Sequence, residues 1–135
     1  MICLDTNIVI AVLSNSIPSA RWRLEEQLRA RVSVLLPVVA LFELRYGYAK
    51  SDRRPQAELL LADFLARGIG VAAFGEEDAA HAGDIRAALE AQGNAFGWYD
   101  YLIAAQARCR GATLVTANTR EFARVPGLIV ADWAA

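Results

Sequence analysis

The sequence Met1-Ile2-Cys3-Leu4-Asp5-Thr6-Asn7 predicts a short buried strand that stops at a carboxylate. A second apolar run, residues 8–13, has the composition of a helix, and Thr6 or Asn7 is the expected N-cap residue of that helix. In a parallel α/β sheet, ligands bind at the carboxyl ends of the strands, where the strand order reverses. Asp5 is therefore the first candidate for a catalytic or ligand-binding residue. Each of the other acids is then assessed by whether it could lie in the same site as Asp5.

Apolar strand-like runs alternate with amphipathic helical segments along the rest of the chain, without repeats, linkers or low-complexity segments. The predicted strands are residues 32–36, 69–74, 113–116 and 128–130. The predicted helices are residues 18–31, 38–50, 53–67, 76–92 and 99–110, with a short one near Glu121. In the helix over residues 53–67, the side chains expected to face inward are Leu59, Leu60, Phe64 and Leu65. This alternation predicts a three-layer α/β/α fold with a mostly parallel central sheet, in a single domain over residues 1–135.

The composition is unusually apolar, with 56% hydrophobic residues and a mean hydropathy of +0.26. No apolar run approaches the ~20 residues that span a bilayer, and no basic segment precedes residues 8–13, so neither a membrane helix nor a signal peptide is expected. The apolar excess favours a surface that a partner or a second copy covers. A cytoplasmic protein that works in a complex is the expectation. Cys3 and Cys109 lack metal-site spacing and are expected to be buried free thiols.

The formal net charge of −1 provides no general attraction to nucleic acid. Thirteen of the fourteen cations are arginines, and Lys50 is the single lysine. Arginine suits phosphate contacts and base stacking, although a GC-rich genome accounts for the bias equally well. In the second helix, Glu25 and Arg29 have the i,i+4 order that favours an ion pair.

Most helical acids have a cation three or four residues away, which explains them as ordinary solvated pairs. Three pairs of this kind are Glu58 with Arg54, Asp63 with Arg67, and Glu90 with Arg86. Glu43 and Asp100 differ, because their neighbours at i±3 and i±4 carry no charge. Burying an unpaired carboxylate costs several kcal/mol, so each needs a partner elsewhere, and a distant arginine is a plain alternative for either one alone. Together with Asp5, three such acids favour a shared divalent cation.

A fourth group of polar residues follows the predicted strand over residues 113–116. Asn118 is a candidate for orienting a metal-bound water, and Glu121 is a candidate outer acid of the same site. Arg124, three residues after Glu121, offers that acid an ordinary salt bridge instead. His81, the single histidine, and Asp84 lie among alanines and are left out of the catalytic set.

Four stretches together resemble a PIN-domain ribonuclease, specifically the toxin of a VapBC-type toxin–antitoxin pair. They are Leu4-Asp5-Thr6-Asn7, Val39-Ala40-Leu41-Phe42-Glu43-Leu44-Arg45-Tyr46-Gly47, Asp100-Tyr101-Leu102-Ile103-Ala104-Ala105-Gln106-Ala107, and Thr116-Ala117-Asn118-Thr119-Arg120-Glu121-Phe122 with Val125-Pro126-Gly127-Leu128. The resemblance covers the whole chain, with the motifs in the family's order.

The resemblance implies that Asp5, Glu43 and Asp100 are metal-binding acids. The family's fourth acid falls in residues 118–121, often as an Asp directly at the strand end, whereas this chain has Asn118 there and its nearest acid at Glu121. The resemblance also implies that the Thr6 and Thr116 hydroxyls support the site.

The function implied by the resemblance is a metal-dependent endoribonuclease that cleaves single-stranded or loop regions of RNA with Mg²⁺ or Mn²⁺. Its implied partners are a second toxin chain in a homodimer and a cognate antitoxin in a hetero-oligomer. Trp98, Tyr99 and Tyr101 flank Asp100 and can stack RNA bases, with core packing expected for at least one of them. The alternative is a PIN-like RNA- or protein-binding module with an impaired metal site, which the departure at Asn118 keeps open.

Other α/β enzymes that place an Asp after a strand fit less well. A haloacid-dehalogenase-type phosphatase requires a second Asp where this chain has Asn7, and a response-regulator receiver requires a lysine after a late strand, whereas Lys50 follows a helix. No GxxxxGK phosphate-binding loop occurs.

Overall fold

Five short parallel strands form the centre of the computed structural model, which describes residues 1–134. The strands are β1 Ile2–Leu4, β2 Val34–Pro37, β3 Gly70–Ala72, β4 Thr113–Val115 and β5 Ile129–Ala131. They lie in the order β3-β2-β1-β4-β5, so the chain builds outward from β1 on one side and then on the other. In the register of the sheet, Cys3 lies beside Leu35 of β2 and Leu114 of β4. The strand order therefore reverses at the carboxyl end of β1, directly before Asp5.

In the described part of the chain, seven helices connect and cover the strands. They are α1 Thr6–Ser14, α2 Pro18–Arg29, α3 Val38–Ala49, α4 Arg54–Leu65, α5 Glu76–Ala91, α6 Trp98–Cys109 and α7 Thr119–Phe122. Successive strand residues point to opposite faces of a sheet, and both Cys3 and Leu4 are completely buried. Helices therefore pack on both faces, which confirms the predicted three-layer fold, and the sheet is entirely parallel.

The predicted inward face of α4 is wrong in part. Leu59 and Leu60 are 67% and 51% exposed, whereas Leu61 and Phe64 are buried. Three consecutive leucines turn through about 200° of a helix, so they cannot all face one core. Leu61 and Phe64, three residues apart, form the stripe that packs inward, and Leu60 lies beside Ile10 at the edge of a surface groove.

Two of the predicted ion pairs are replaced by a contact between helices. The Arg67 Nη2 atom lies 2.6 Å from the Glu25 Oε2 atom, which links the end of α4 to α2. Arg67 therefore forms its ion pair with Glu25 instead of Asp63, and Glu25 pairs with Arg67 instead of Arg29. The predicted Glu58–Arg54 and Glu90–Arg86 pairs are confirmed, with nitrogen–oxygen distances of 3.9 and 3.4 Å.

The two cysteines differ in environment. Both are free thiols; Cys3 is buried, and burial raises the pKa of its thiol to about 11, while Cys109 is only half-buried at the end of α6. Within residues 1–134, no helix has the length and apolar character needed to cross a membrane.

Candidate active site

Asp5 lies immediately after β1 and is 4% exposed. Its Oδ1 atom accepts a hydrogen bond from the Thr6 backbone N–H at 2.8 Å, and its Oδ2 atom accepts one from the Thr116 hydroxyl at 2.8 Å. Asp5 is itself the N-cap residue of α1, so the expectation that Thr6 or Asn7 caps this helix is wrong. The cap falls on Asp5 because its backbone is still extended, whereas the next two residues are helical. Burial raises the pKa of the Asp5 carboxyl, and the two hydrogen bonds oppose that effect.

Glu43 reaches the same place from α3. This helix starts at Val38, directly after β2, and so begins at the same edge of the sheet as α1. The Thr6 hydroxyl donates a hydrogen bond to Glu43 Oε1 at 2.8 Å. Thr6 therefore holds two acids at once, since its N–H binds Asp5 and its hydroxyl binds Glu43.

Asp100 lies in the first turn of α6 and is close to the other acids. Burial, and then the negative charges of Asp5, Glu43 and Glu121, raise the pKa of the Asp100 carboxyl to about 6. A Cβ atom at Gly97 would lie 3.0 Å from Asp100 Oδ2, so a side chain at that position would press on the carboxylate. The N-terminus of α6 thus has room for Asp100 because its N-cap residue is glycine.

Residues 116–121 complete the group through two further hydrogen bonds. The Thr116 hydroxyl accepts from the Asn118 N–H at 2.9 Å while it donates to Asp5, and Asn118 Nδ2 donates to Glu121 Oε2 at 2.9 Å. The described residues contain no ion pair between Glu121 and Arg124, so the salt-bridge explanation of Glu121 is wrong. The Asn118 side-chain amide holds Glu121 near Asp100. The fourth acid of the site therefore comes from Glu121, three residues after Asn118.

Within residues 1–134, none of these four acids is neutralised by a cation. In the part of the chain that the structure describes, every ion pair involves a different acid: Glu25, Glu58, Asp78 or Glu90. The alternative of a distant arginine for Glu43 or Asp100 is therefore wrong. A cluster of partly buried carboxylates without a counter-charge strongly favours binding of a cation.

The donor atoms of the cluster fit a hard divalent ion. Carboxylate and hydroxyl oxygens are the ligands that Mg²⁺ and Mn²⁺ prefer, and the described site contains no thiolate or imidazole. No three acid, histidine or cysteine side chains among residues 1–134 are already arranged as the ligands of one ion. Mg²⁺ requires only one or two protein carboxylates and completes its shell with water and phosphate oxygens, so the cluster still fits it.

Gln106 is a residue of this region that the sequence interpretation missed. It is completely buried on α6; its Oε1 atom accepts from the Val39 N–H at 3.3 Å, and its Nε2 atom donates to the carbonyls of Ala72 and Ala73 at 2.7 and 3.0 Å. Gln106 thereby ties the helix that carries Asp100 to the start of the helix that carries Glu43. An uncharged polar residue on an apolar helix face was the available signal.

A buried ion pair near the start of α5 was also missed. Asp78 is buried, accepts from the Gly75 N–H at 2.8 Å, and lies 2.6 Å from Arg110 Nη1. Burial raises the pKa of the Asp78 carboxyl, but these hydrogen bonds and the Arg110 charge outweigh it and leave the pKa below its usual value. His81 accepts a hydrogen bond from Arg108 Nε at 2.9 Å and Asp84 is exposed, so neither joins the acids.

The aromatic residues around Asp100 divide into a core residue and two surface residues. Tyr101 is 3% exposed and its hydroxyl accepts from the Phe96 N–H at 3.1 Å, which confirms core packing for one of them. Trp98 and Tyr99 are 70% and 48% exposed. Tyr99 packs edge-on against Phe42, with ring centroids 5.2 Å apart, and both line a cleft of about 430 Å³ that contains Glu43.

Comparison with known proteins gives one consistent family. The family model described as "PIN domain" matches residues 2–128. A relative from Shigella flexneri named "tRNA(fMet)-specific endonuclease VapC" is 40% identical over 130 residues, which cover 96% of each chain.

Two solved structures agree closely with this fold. A VapBC2 complex from Rickettsia felis bound to a promoter DNA fragment contains a chain with a TM-score of 0.91 and 34% identity, covering 98% of this chain and 99% of that one. A DNA-bound VapBC complex from Salmonella typhimurium contains a chain with a TM-score of 0.89 and 34% identity, covering 98% and 97%.

Proposed function

Because this chain belongs to the PIN-domain family, we propose that it is the toxin endoribonuclease of a toxin–antitoxin pair and that its acid cluster holds a divalent metal ion. Asp5, Glu43 and Asp100 are the proposed metal ligands, and Glu121 is the proposed fourth acid of the site. The observation that carries the proposal is that these four carboxylates converge from four parts of the chain with no cation among the described residues to neutralise them.

Each residue of the site has a distinct task in this proposal. Asp5 is the rigid ligand, because its two carboxylate oxygens are held by Thr6 and Thr116. Glu43 is held by a single hydrogen bond from Thr6 and so retains more freedom to move toward an ion. Asp100 has a pKa of about 6 and is mostly ionised at neutral pH, which leaves it ready to bind a cation.

A bound Mg²⁺ or Mn²⁺ would neutralise the scissile phosphate, activate the attacking water and stabilise the leaving oxygen. Glu121, which Asn118 holds in place, adds a fourth negative charge to the cluster, and this charge acts on Asp100. The proposed reaction does not use histidine, since His81 contacts Arg108 instead.

The proposed substrate is RNA with an exposed single-stranded region or loop. The Shigella relative is named for its action on tRNA(fMet), and a tRNA presents such loops. Unpaired bases can be splayed from a loop and stacked on protein side chains, which suits the exposed aromatic residues near Asp100. We propose the cytoplasm as the compartment in which the protein meets this RNA.

The proposed protein partners are an antitoxin and a second copy of this chain, as the VapBC complexes among its structural relatives suggest. Several large apolar side chains give such partners a surface to cover, and Trp22, Leu59 and Leu60 are each more than half exposed.

Cleavage of purified tRNA and total RNA, with Mg²⁺ and with EDTA, tests the nuclease proposal. We expect cleavage only with the metal and no cleavage by the Asp5→Asn variant, with an unchanged circular dichroism spectrum. Asp84→Asn is the matched control, because it removes an exposed carboxylate of α5 and should cleave like wild type. An Asp5→Asn protein that cuts at the wild-type rate would remove Asp5 from the proposed site.

Metal binding is measured separately from cleavage. Mn²⁺ should raise the melting temperature of the wild type, and Glu43→Gln should weaken that effect. A wild-type protein that shows no Mn²⁺ stabilisation and no cleavage would instead support the alternative, a binding module with an impaired metal site.

A further inference from the structure

A groove of about 260 Å³ lies between α5 and α6, and the two tyrosines that flank Asp100 in the sequence line it. We call it the Trp98 groove; α5 contributes Ala82, Gly83 and Arg86, and α6 contributes Trp98, Tyr99, Tyr101 and Leu102. Its walls are mainly apolar, and Trp98 is the most exposed large apolar side chain of the described residues, at 70%. The catalytic residues proposed above do not account for it.

We infer that the Trp98 groove is a subsite for an unpaired nucleobase of the RNA, stacked on Trp98 next to the phosphate that is cleaved. This inference deepens the proposed function and rests on it for the identity of the ligand as RNA.

The groove and the cleft of the candidate active site share one lining residue. Tyr99 lines the Trp98 groove and also the cleft of about 430 Å³ that contains Glu43. Asp100 follows Tyr99 directly, so a nucleotide whose phosphate lies at the acids has its neighbouring base within reach of the groove. The shared Tyr99 side chain and its neighbour Asp100 favour the substrate of the site over an unrelated occupant.

Gly83 keeps the groove open although the fold does not require a glycine there. It lies inside α5 with helical backbone geometry, and glycine destabilises a helix interior relative to alanine. A Cβ atom at this position would meet no other atom within 4 Å, so no neighbouring element needs the space. The free volume beside Gly83 is therefore available to a ligand.

Arg86 provides a positive charge among the residues that line the groove. Its guanidinium carbon lies 4.8 Å from the centroid of the Trp98 ring and 6.0 Å from that of Tyr101, and its Nε atom lies 3.4 Å from Glu90 Oε2. The four acids of the site repel phosphate groups, so RNA needs favourable contacts from other residues. An aromatic ring with an arginine on it attracts both the face of a base and its phosphate.

The test measures binding of RNA to a catalytically blocked protein, Asp5→Asn, so that cleavage does not interfere. The probe is a single-stranded RNA oligonucleotide that carries 2-aminopurine, whose fluorescence falls when the base stacks. In this background, Trp98→Ala should weaken binding roughly 5- to 150-fold, the range expected for the stacking of one base, and should abolish the fluorescence change. Trp98→Phe should retain most of both.

Two further variants separate the groove from general effects of the tryptophan. In Gly83→Leu, the added side chain occupies the groove and should weaken RNA binding. It should not lower the melting temperature, because a Cβ atom at this position meets no other atom within 4 Å. Ile129→Ala is the control, because Ile129 is 62% exposed on β5, which carries none of the site residues, and its loss should leave RNA binding unchanged.

Each outcome supports or overturns the inference. If Trp98→Ala and Gly83→Leu bind the oligonucleotide as the parent does, or if sedimentation shows that Trp98→Ala splits a dimer or releases the antitoxin, then the groove is not a base subsite. Wild-type cleavage with Mg²⁺ is measured in parallel. Cleavage with normal binding by Trp98→Ala defeats this inference alone, whereas Trp98-dependent binding without any cleavage by the wild type defeats the nuclease proposal and leaves the base subsite standing.

Discussion

Replacing Asp100 with Asn should stabilise the metal-free protein at neutral pH while it impairs metal binding. The pKa of this carboxyl is raised from 3.8 to about 6, first by burial and then by the charges of Asp5, Glu43 and Glu121. A raised carboxyl pKa means that the folded state holds its proton more tightly than the unfolded state. The associated stability is complete below the unfolded pKa and is lost as the pH rises through about 6.

The size of the effect follows from the difference between these two pKa values. A difference of about two pKa units corresponds to about 3 kcal/mol, so the ionised Asp100 lowers the free energy of unfolding by up to this amount at pH ~7.5. About half of the loss develops between pH ~5 and pH ~7.5. The Asn variant has no such charge, and its stability should depend less steeply on pH over this interval.

The assay is urea unfolding in EDTA, followed by tryptophan fluorescence, at pH ~5 and pH ~7.5. Asp84→Asn serves as the control, since it removes an exposed carboxylate and should change neither the stability nor its pH dependence appreciably. Saturating Mn²⁺ should reduce or reverse the advantage of Asp100→Asn, because the ion stabilises only a protein that binds it. An Asp100→Asn protein that is no more stable than wild type at pH ~7.5, with the same pH dependence, would refute the coupling among these acids.

Two further predictions concern the buried polar contacts that support the site. Gln106→Leu should lower the free energy of unfolding by about 2 kcal/mol or more, because it leaves the Val39 N–H and the Ala72 carbonyl without their partner, and it should reduce kcat more than it changes KM for RNA. Urea unfolding and steady-state cleavage measure the two effects, and a kcat that falls no further than in an equally destabilised core variant would show a purely structural role. Arg110→Met should cost about 3 kcal/mol by leaving the buried Asp78 carboxylate unpaired, and adding Asp78→Asn should recover part of the loss. Because the pKa of Asp78 is lowered in the folded state, the stabilisation that this carboxylate provides should be complete above the usual carboxyl pKa. It should be lost as the pH falls through the lowered pKa. A double variant that is no more stable than Arg110→Met would contradict this account.

Patterns within single segments were sufficient to predict the elements and three of the acids. Apolar runs, and the residues that end them, predict strand β1 and the start of α3 after Pro37. They also predict the alternation of strands and helices that is typical of a parallel sheet. Asp5 follows from its place after a strand, and Glu43 and Asp100 follow from the absence of a nearby cation on their own helices. Each of these properties depends on neighbours within four residues along the chain.

Contacts between segments could not be predicted in this way. The side of α4 that is buried depends on where α1 and α3 pack against it, and three consecutive leucines fit several orientations. Arg67 binds Glu25 because α2 and α4 come together, although Asp63 is nearer in sequence. The hydrogen bonds of Gln106 join three elements, and no local pattern specifies them.

The sequence by itself determined that strands alternate with helices, that Asp5 follows a strand, and that Glu43 and Asp100 have no nearby cation on their helices. Each of these properties depends only on residues that are close along the chain. Only the tertiary structure decided which acid the Thr6 and Thr116 hydroxyls each bind, that Asn118 would bring Glu121 among the acids, and that Trp98 would line a groove between α5 and α6. These arrangements depend on how the helices pack against the two faces of the sheet, and packing is set by the shapes of side chains that are distant along the chain.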